Sequence, residues 1–179
     1  MKKIITLVVC CCCAAIFASD LELKNEINNS KIGDPLMKGW LLNQNRKEGL
    51  GTGIVIQGSE NDSKAYKITS KKFPTFFFKR DAIRAKAGDK IKFSVDVKGR
   101  GTMIIGFYTY AHGNKFIDSV NTRKIFAVNG KEQEIEYEFT VPNGNKGDLT
   151  GTIRPFIAAN ANSEVIFEDL EIEIDYKNR

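Results

Sequence analysis

From residue 50 onward, apolar and polar side chains alternate with a period of two rather than 3.6. The run Ile91-Lys92-Phe93-Ser94-Val95-Asp96-Val97-Lys98 is the pattern of a strand with one buried and one wet face. Glu134-Ile135-Glu136-Tyr137-Glu138-Phe139-Thr140-Val141 repeats it. Between Val165 and Asp175 the alternation changes phase: Val165 and Phe167 share a face with Asp169, Glu171 and Glu173, while Leu170, Ile172 and Ile174 fall on the other. The slip lies near Glu168-Asp169 and predicts a bulge there. Further strands are predicted over 21–27, 52–57, 63–69, 75–80, 102–110, 123–128 and 151–158. Turn signals such as Ala87-Gly88-Asp89, Gly99-Arg100-Gly101 and Asn129-Gly130 separate them. No segment carries a long amphipathic helix pattern. The fold class is all-β: an antiparallel β-sandwich of jelly-roll type with about 8–10 strands. Its predicted core includes Phe93, Val95, Val97, Ile105, Phe107, Ile135, Tyr137, Phe139, Ile153 and Ile157.

The N-terminus breaks this pattern. Met1-Lys2-Lys3 precedes an apolar stretch from Ile4 to Phe17 and then Ala18-Ser19-Asp20. A basic head, a short apolar run and a small residue describe a secretory signal peptide, and the run is too short for a membrane anchor. Residues 1–18 are therefore expected to be removed, leaving 19–179 as one domain, secreted, periplasmic or on the cell surface. All four cysteines, Cys10 to Cys13, lie inside that peptide. The remainder would have no disulfide, thiol nucleophile or cysteine metal site. Lipidation is the alternative, although none of these cysteines follows the small residue a lipoprotein signal uses.

Charge adds an asymmetry. Residues 64–100 hold 12 basic and 3 acidic side chains, whereas residues 132–175 hold 2 basic and 11 acidic. Either this marks a surface for anionic partners, or two oppositely charged strand faces neutralise each other across a sheet. No nucleic-acid module is recognisable, because the Lys and Arg side chains do not interleave with aromatics.

Catalytic chemistry finds little footing. The only histidine, His112, sits in a loop with Gly113 and Asn114, and no G-x-S-x-G accompanies it. The acidic run ending Glu173-Ile174-Asp175 approaches a paired-carboxylate pattern, but Tyr176-Lys177-Asn178 follows where an acid/base carboxyl is needed. It reads instead as a solvated strand face.

Three pieces of the chain, in order, resemble carbohydrate-binding modules of families 4 and 9, among the galactose-binding-like jelly rolls. They are Leu21-Glu22-Leu23-Lys24-Asn25-Glu26-Ile27 with Trp40 after it, then Ala85 through Val97-Lys98-Gly99 with the strand Gly101 to Tyr110, and finally Ile153-Arg154-Pro155-Phe156-Ile157 followed by Val165-Ile166-Phe167-Glu168-Asp169-Leu170-Glu171-Ile172. Glu26 replaces that family's glycine, and its Phe-Glu pair is absent. The resemblance implies a structural calcium held by Asp169 and Asn25, an oxygen-ligand site suited to that ion. It also implies a poly- or oligosaccharide partner, with a separate glycan-degrading enzyme as a further one.

Sugar binding needs exposed flat rings for the C–H face of a pyranose and planar hydrogen-bonding groups for its hydroxyls. If Met103, Ile105 and Phe107 face the core, Tyr108 and Tyr110 point outward together. Core-facing Ile153 and Ile157 leave Arg154 and Phe156 on the opposite face, in a strand that the resemblance places in the same sheet. Trp40 is either a ring platform or a lid over the core. The run Phe76-Phe77-Phe78 must turn at least one ring outward, and Arg80 beyond it suits a hydroxyl or carboxylate. The expected function is non-catalytic carbohydrate binding through Tyr108, Tyr110, Arg154, Trp40, Phe156 and Arg80. The alternatives are an exported structural or adhesion sandwich and, last, a glycan-active enzyme.

Overall fold

The computed structural model describes residues 25–43, 51–122, 126–145 and 147–177. The segment read as a signal peptide lies outside them. In chain order the elements are a short helix α1 (Asn25–Asn28), then β1 (Trp40–Leu42), β2 (Thr52–Gln57), β3 (Lys64–Thr69), β4 (Thr75–Lys79), β5 (Ile83–Arg84), β6 (Lys90–Tyr110), β7 (Phe116–Asn121), β8 (Phe126–Asn129), β9 (Gln133–Thr140), β10 (Thr152–Ala159) and β11 (Glu164–Asp175). All pairings between these strands are antiparallel.

β6 organises the molecule. The two strands predicted at 91–98 and 102–110 are one strand of 21 residues. It turns at Gly99 (φ 134°) and Gly101 (φ 96°), backbone conformations that side chains other than glycine resist. A Cβ at Gly99 would also collide with the carbonyl oxygen of Glu164. The first half of β6 pairs with β9 and β11, and β11 continues to β3 and β2. The second half pairs with β10, β7 and β8, and β10 continues to β4 and β1. One hydrogen-bonded sheet thus curls through β6 into two layers over a shared core.

The core follows the alternation. Phe93, Val95, Val97, Met103, Ile105 and Phe107 are all buried from β6, with Ile135 and Phe139 from β9 and Ile153 and Ile157 from β10. Rings meet edge to face across the core: Phe107 and Phe139 at 5.4 Å, Tyr66 and Phe77 at 5.2 Å. Tyr137 was expected inside, but it is only partly buried and packs between Phe126 and Phe139 at the margin. The predicted bulge is present: the β11–β6 register shifts between Glu168 and Glu171, with Asp169 at φ 43°. It lets Val165 and Phe167, then Leu170, Ile172 and Ile174, all reach the core.

Some expectations change. Residues 25–28 form one helical turn rather than the end of a strand over 21–27, whose earlier part lies outside the described residues. β1, β5 and β7 were not predicted. Part of the charge asymmetry is internal pairing: Lys90–Glu138 at 2.8 Å, Lys92–Glu136 at 2.6 Å, Lys67–Glu164 at 2.8 Å and Lys98–Glu168 at 3.1 Å. Positive and negative strands face each other across the first layer.

Candidate functional site

The site is built on the outer face of the second layer, where cross-strand register sets the neighbours. Phe78 lies opposite Phe156, and Phe156 opposite Gly106. Arg154 lies opposite Tyr108, and Tyr108 opposite Ser119. Thr152 lies opposite Tyr110, which in turn meets Phe116 at a register shift in β7. Directly opposed residues point to the same side of a sheet. The face therefore gathers Phe78, Phe156, Tyr108, Tyr110 and Phe116 with Arg154. Phe76, two residues before Phe78, adds its ring at 5.4 Å from Phe156, while Phe77 turns into the core.

Tyr108 is the hub of this cluster. Its ring centroid lies 4.8 Å from Phe156, 5.9 Å from Phe78 and 6.1 Å from Phe116. Burial raises the pKa of its phenol, against the opposing pull of a hydrogen bond from Asn43, so the hydroxyl stays neutral. Asn43 Nδ2 donates that bond at 3.1 Å, which fixes the amide at the rim. Tyr110 packs edge to face with Phe116 at 5.9 Å, and the Arg154 guanidinium carbon stands 5.1 Å from the Tyr110 ring centroid. That distance suits a cation–π contact. Arg154 Nε is buried without a hydrogen-bond partner. Asn43, Phe78, Tyr108, Tyr110 and Phe116 line a cleft of about 320 Å³. Phe116 is 55% exposed although its ring packs against Tyr108 and Tyr110, so one side of it faces solvent.

Tyr108, Tyr110 and Arg154 are thus brought together on one face. Phe156 shares that face but is fully buried under Phe76 and Tyr108, so it is the floor of the aromatic layer rather than a contact. Trp40 is 1% exposed in the core beside the strand end, so its role is the lid and not the platform. Arg80 is exposed just past β4 and is not part of the cleft lining. Phe78, Phe116 and Asn43 were missed. The triple-phenylalanine run signalled Phe78, whereas Phe116 joins only through the β6–β7 register.

Asp169 is exposed at the bulge, and the side chain of Asn25 lies outside the described residues. No group of three or more His, Cys, Asp or Glu side chains among the described residues is arranged to hold a metal ion. In the opening segment the carbonyl oxygens of Asn28 and Ser30 both accept hydrogen bonds from Lys64 Nζ at 2.6 Å, so a lysine ammonium is the cation they meet.

No protein-family model and no curated protein matches the chain. Solved structures do. The CBM22-1 xylan-binding domain from Paenibacillus barcinonensis Xyn10C is similar with a TM-score of 0.56 at 9% identity, over 83% of this chain and 99% of that one. A Stig cyclase from Fischerella sp. TAU in complex with a substituted 3H-indole gives 0.61 at 9% identity, over 89% of this chain and 100% of that one. The arabinose-bound MgGH51 α-L-arabinofuranosidase gives 0.59 at 11% identity; 88% of this chain matches there but spans only 26% of that enzyme. Such identities concern the fold. The module met here is of family 22, whereas the sequence motifs resemble families 4 and 9. The chain has the β-sandwich fold found in carbohydrate-binding modules.

Proposed function

We propose that this protein is an exported, non-catalytic glycan-binding module that holds a poly- or oligosaccharide on the outer face of its second layer. The observation that carries the reading is the cleft of Asn43, Phe78, Tyr108, Tyr110 and Phe116, with Arg154 beside it. Rings set in a half-open cleft cover the C–H face of a pyranose, while the Asn43 amide, the tyrosine hydroxyls and the Arg154 fork meet its hydroxyls. One ring hiding on the order of 50–100 Å² contributes roughly 1–3 kcal/mol. Two such rings give affinities from about millimolar to micromolar after the cost of association. The fold shared with a xylan-binding domain supports the reading, as does the apolar head of the chain for export. A family 4 or 9 affiliation, and work beside a separate glycan-degrading enzyme, belong to the same proposal.

Affinity electrophoresis against a panel of neutral and acidic polysaccharides, xylan included, tests it. Retardation of the purified protein by at least one glycan, with no reducing ends released, is expected. Unaltered migration in every gel would leave the structural or adhesion reading in its place.

A further inference from the structure

The outer face does not stop at Tyr110. Thr152 pairs with Tyr110 on one side and with Arg84 on the other, so these three form a row across β6, β10 and β5. Beyond that row opens a second cavity of about 390 Å³, whose wall includes Arg84, Lys86, His112, Asn114 and Thr152. No Asp or Glu lines it. Arg84 stands two strand spacings, about 10 Å, from Tyr110, within reach of a sugar next to one stacked there.

Two independent observations point to a ligand. First, the buried side-chain polar atoms without a partner among the described residues are Thr150 Oγ1, Thr152 Oγ1 and Arg154 Nε. They are spaced two residues apart along one segment that runs from the cavity to the cleft. A buried polar group left unpaired costs about 1–3 kcal/mol, so such groups are scarce in folded proteins. Second, the ion pairs among the described residues all use lysines, and neither Arg84 nor Arg154 takes part in one. Arg84 thus lines a carboxylate-free hollow without being held in an ion pair of the described residues.

We infer that the Arg84–Thr152 cavity takes the carboxylate of a uronic acid residue, so that cleft and cavity together select an acidic glycan. This rests on the glycan-binding reading above. A guanidinium presents two parallel N–H donors to a carboxylate. The Tyr110 ring beneath Arg154 holds one fork, and Arg84 supplies the other from the far side of Thr152.

The test compares matched ligands by titration calorimetry: glucuronoxylan and polygalacturonate, each beside its carboxyl-reduced form, with dextran sulfate as a control for simple ion exchange. Thermal unfolding first establishes that Arg84→Gln folds, as an exposed side chain should allow. The wild type is expected to bind at least one native acidic glycan about threefold to tenfold tighter than its reduced form, a preference that shrinks with added salt. In Arg84→Gln that ratio falls toward one. Equal affinity for native and reduced forms, an unchanged ratio in Arg84→Gln, or dextran sulfate binding as tightly as the best uronate would each overturn the inference. Binding to none of the glycans, reduced or native, would sink the glycan-binding reading itself and is thereby told apart.

Discussion

The two halves of β6 make an instructive pair. Inside, they are alike: Phe93, Val95 and Val97 in one half and Met103, Ile105 and Phe107 in the other are all buried. Outside, they part. The first half carries Lys90 and Lys92, paired at 2.8 and 2.6 Å with Glu138 and Glu136 of β9, so that face neutralises itself. The second half carries Tyr108 and Tyr110 among the rings of Phe78, Phe116 and Phe156, with Arg154 outside any ion pair of the described residues. The same strand geometry thus supports a saturated face and an unsaturated one. The glycan-binding proposal assigns recognition to the aromatic face, where Arg154 Nε lacks a partner.

The inner faces should dominate stability. Phe107 is fully buried and meets Phe139 at 5.4 Å, so Phe107→Ala should cost about 3–5 kcal/mol in urea unfolding, whichever half is compared. A loss under about 1 kcal/mol would mean the two layers do not share one core.

Glu168 is where the charged layer is most deeply tied in. Its carboxylate accepts hydrogen bonds from Ser59 N at 2.9 Å and Ser59 Oγ at 2.6 Å, with Lys98 Nζ at 3.1 Å. Burial alone would raise its pKa, but the two Ser59 bonds and the Lys98 ammonium outweigh it and hold the value below the ordinary 4.5. A depressed folded pKa gives stability that is complete above the ordinary carboxylate range and lost as pH falls through the folded value. Glu168→Gln should therefore cost about 1–3 kcal/mol at neutral pH, and its unfolding midpoint should fall less on acidification below about pH 5 than that of the wild type. Parallel pH profiles for the two proteins would contradict this.

On the aromatic face the expected loss is in binding. Phe116→Ala and Tyr110→Ala should each weaken glycan affinity by about 1–2 kcal/mol in calorimetry, with little change in unfolding for the half-exposed Phe116. Tyr108→Ala sharpens the contrast, because it removes a contact and also uncovers Phe156, so stability and affinity should fall together. The smallest effect belongs to the ladder: Lys92→Gln should leave both the unfolding midpoint and glycan affinity unchanged at physiological salt, since its pair with Glu136 is open to solvent.

Much of this division could be read from the residues. A period of two is local information, so it placed Phe107 inward and Tyr108 and Tyr110 outward, and the phase slip at Glu168-Asp169 marked the bulge. Alternation names a face but not what lies on it. Trp40 and Phe156 were legible as rings, yet their burial depends on neighbours far along the chain, such as Phe76 over Phe156. Phe116 escaped for the same reason: only the β6–β7 pairing carries it to Tyr110. The helical turn at Asn25–Asn28 ran against the apolar–polar pattern of its surroundings, which a single turn is too short to reveal.

The most direct test of the central claim is amide NMR of the labelled protein titrated with a glycan that binds. Shift changes are predicted to fall on Asn43, Phe78, Tyr108, Tyr110, Phe116, Thr152, Ile153, Arg154 and Phe156, while Lys90–Asp96 and Glu134–Glu138 stay still. Shifts centred on the lysine–glutamate ladder, with the aromatic face silent, would contradict the assignment of recognition to the second layer.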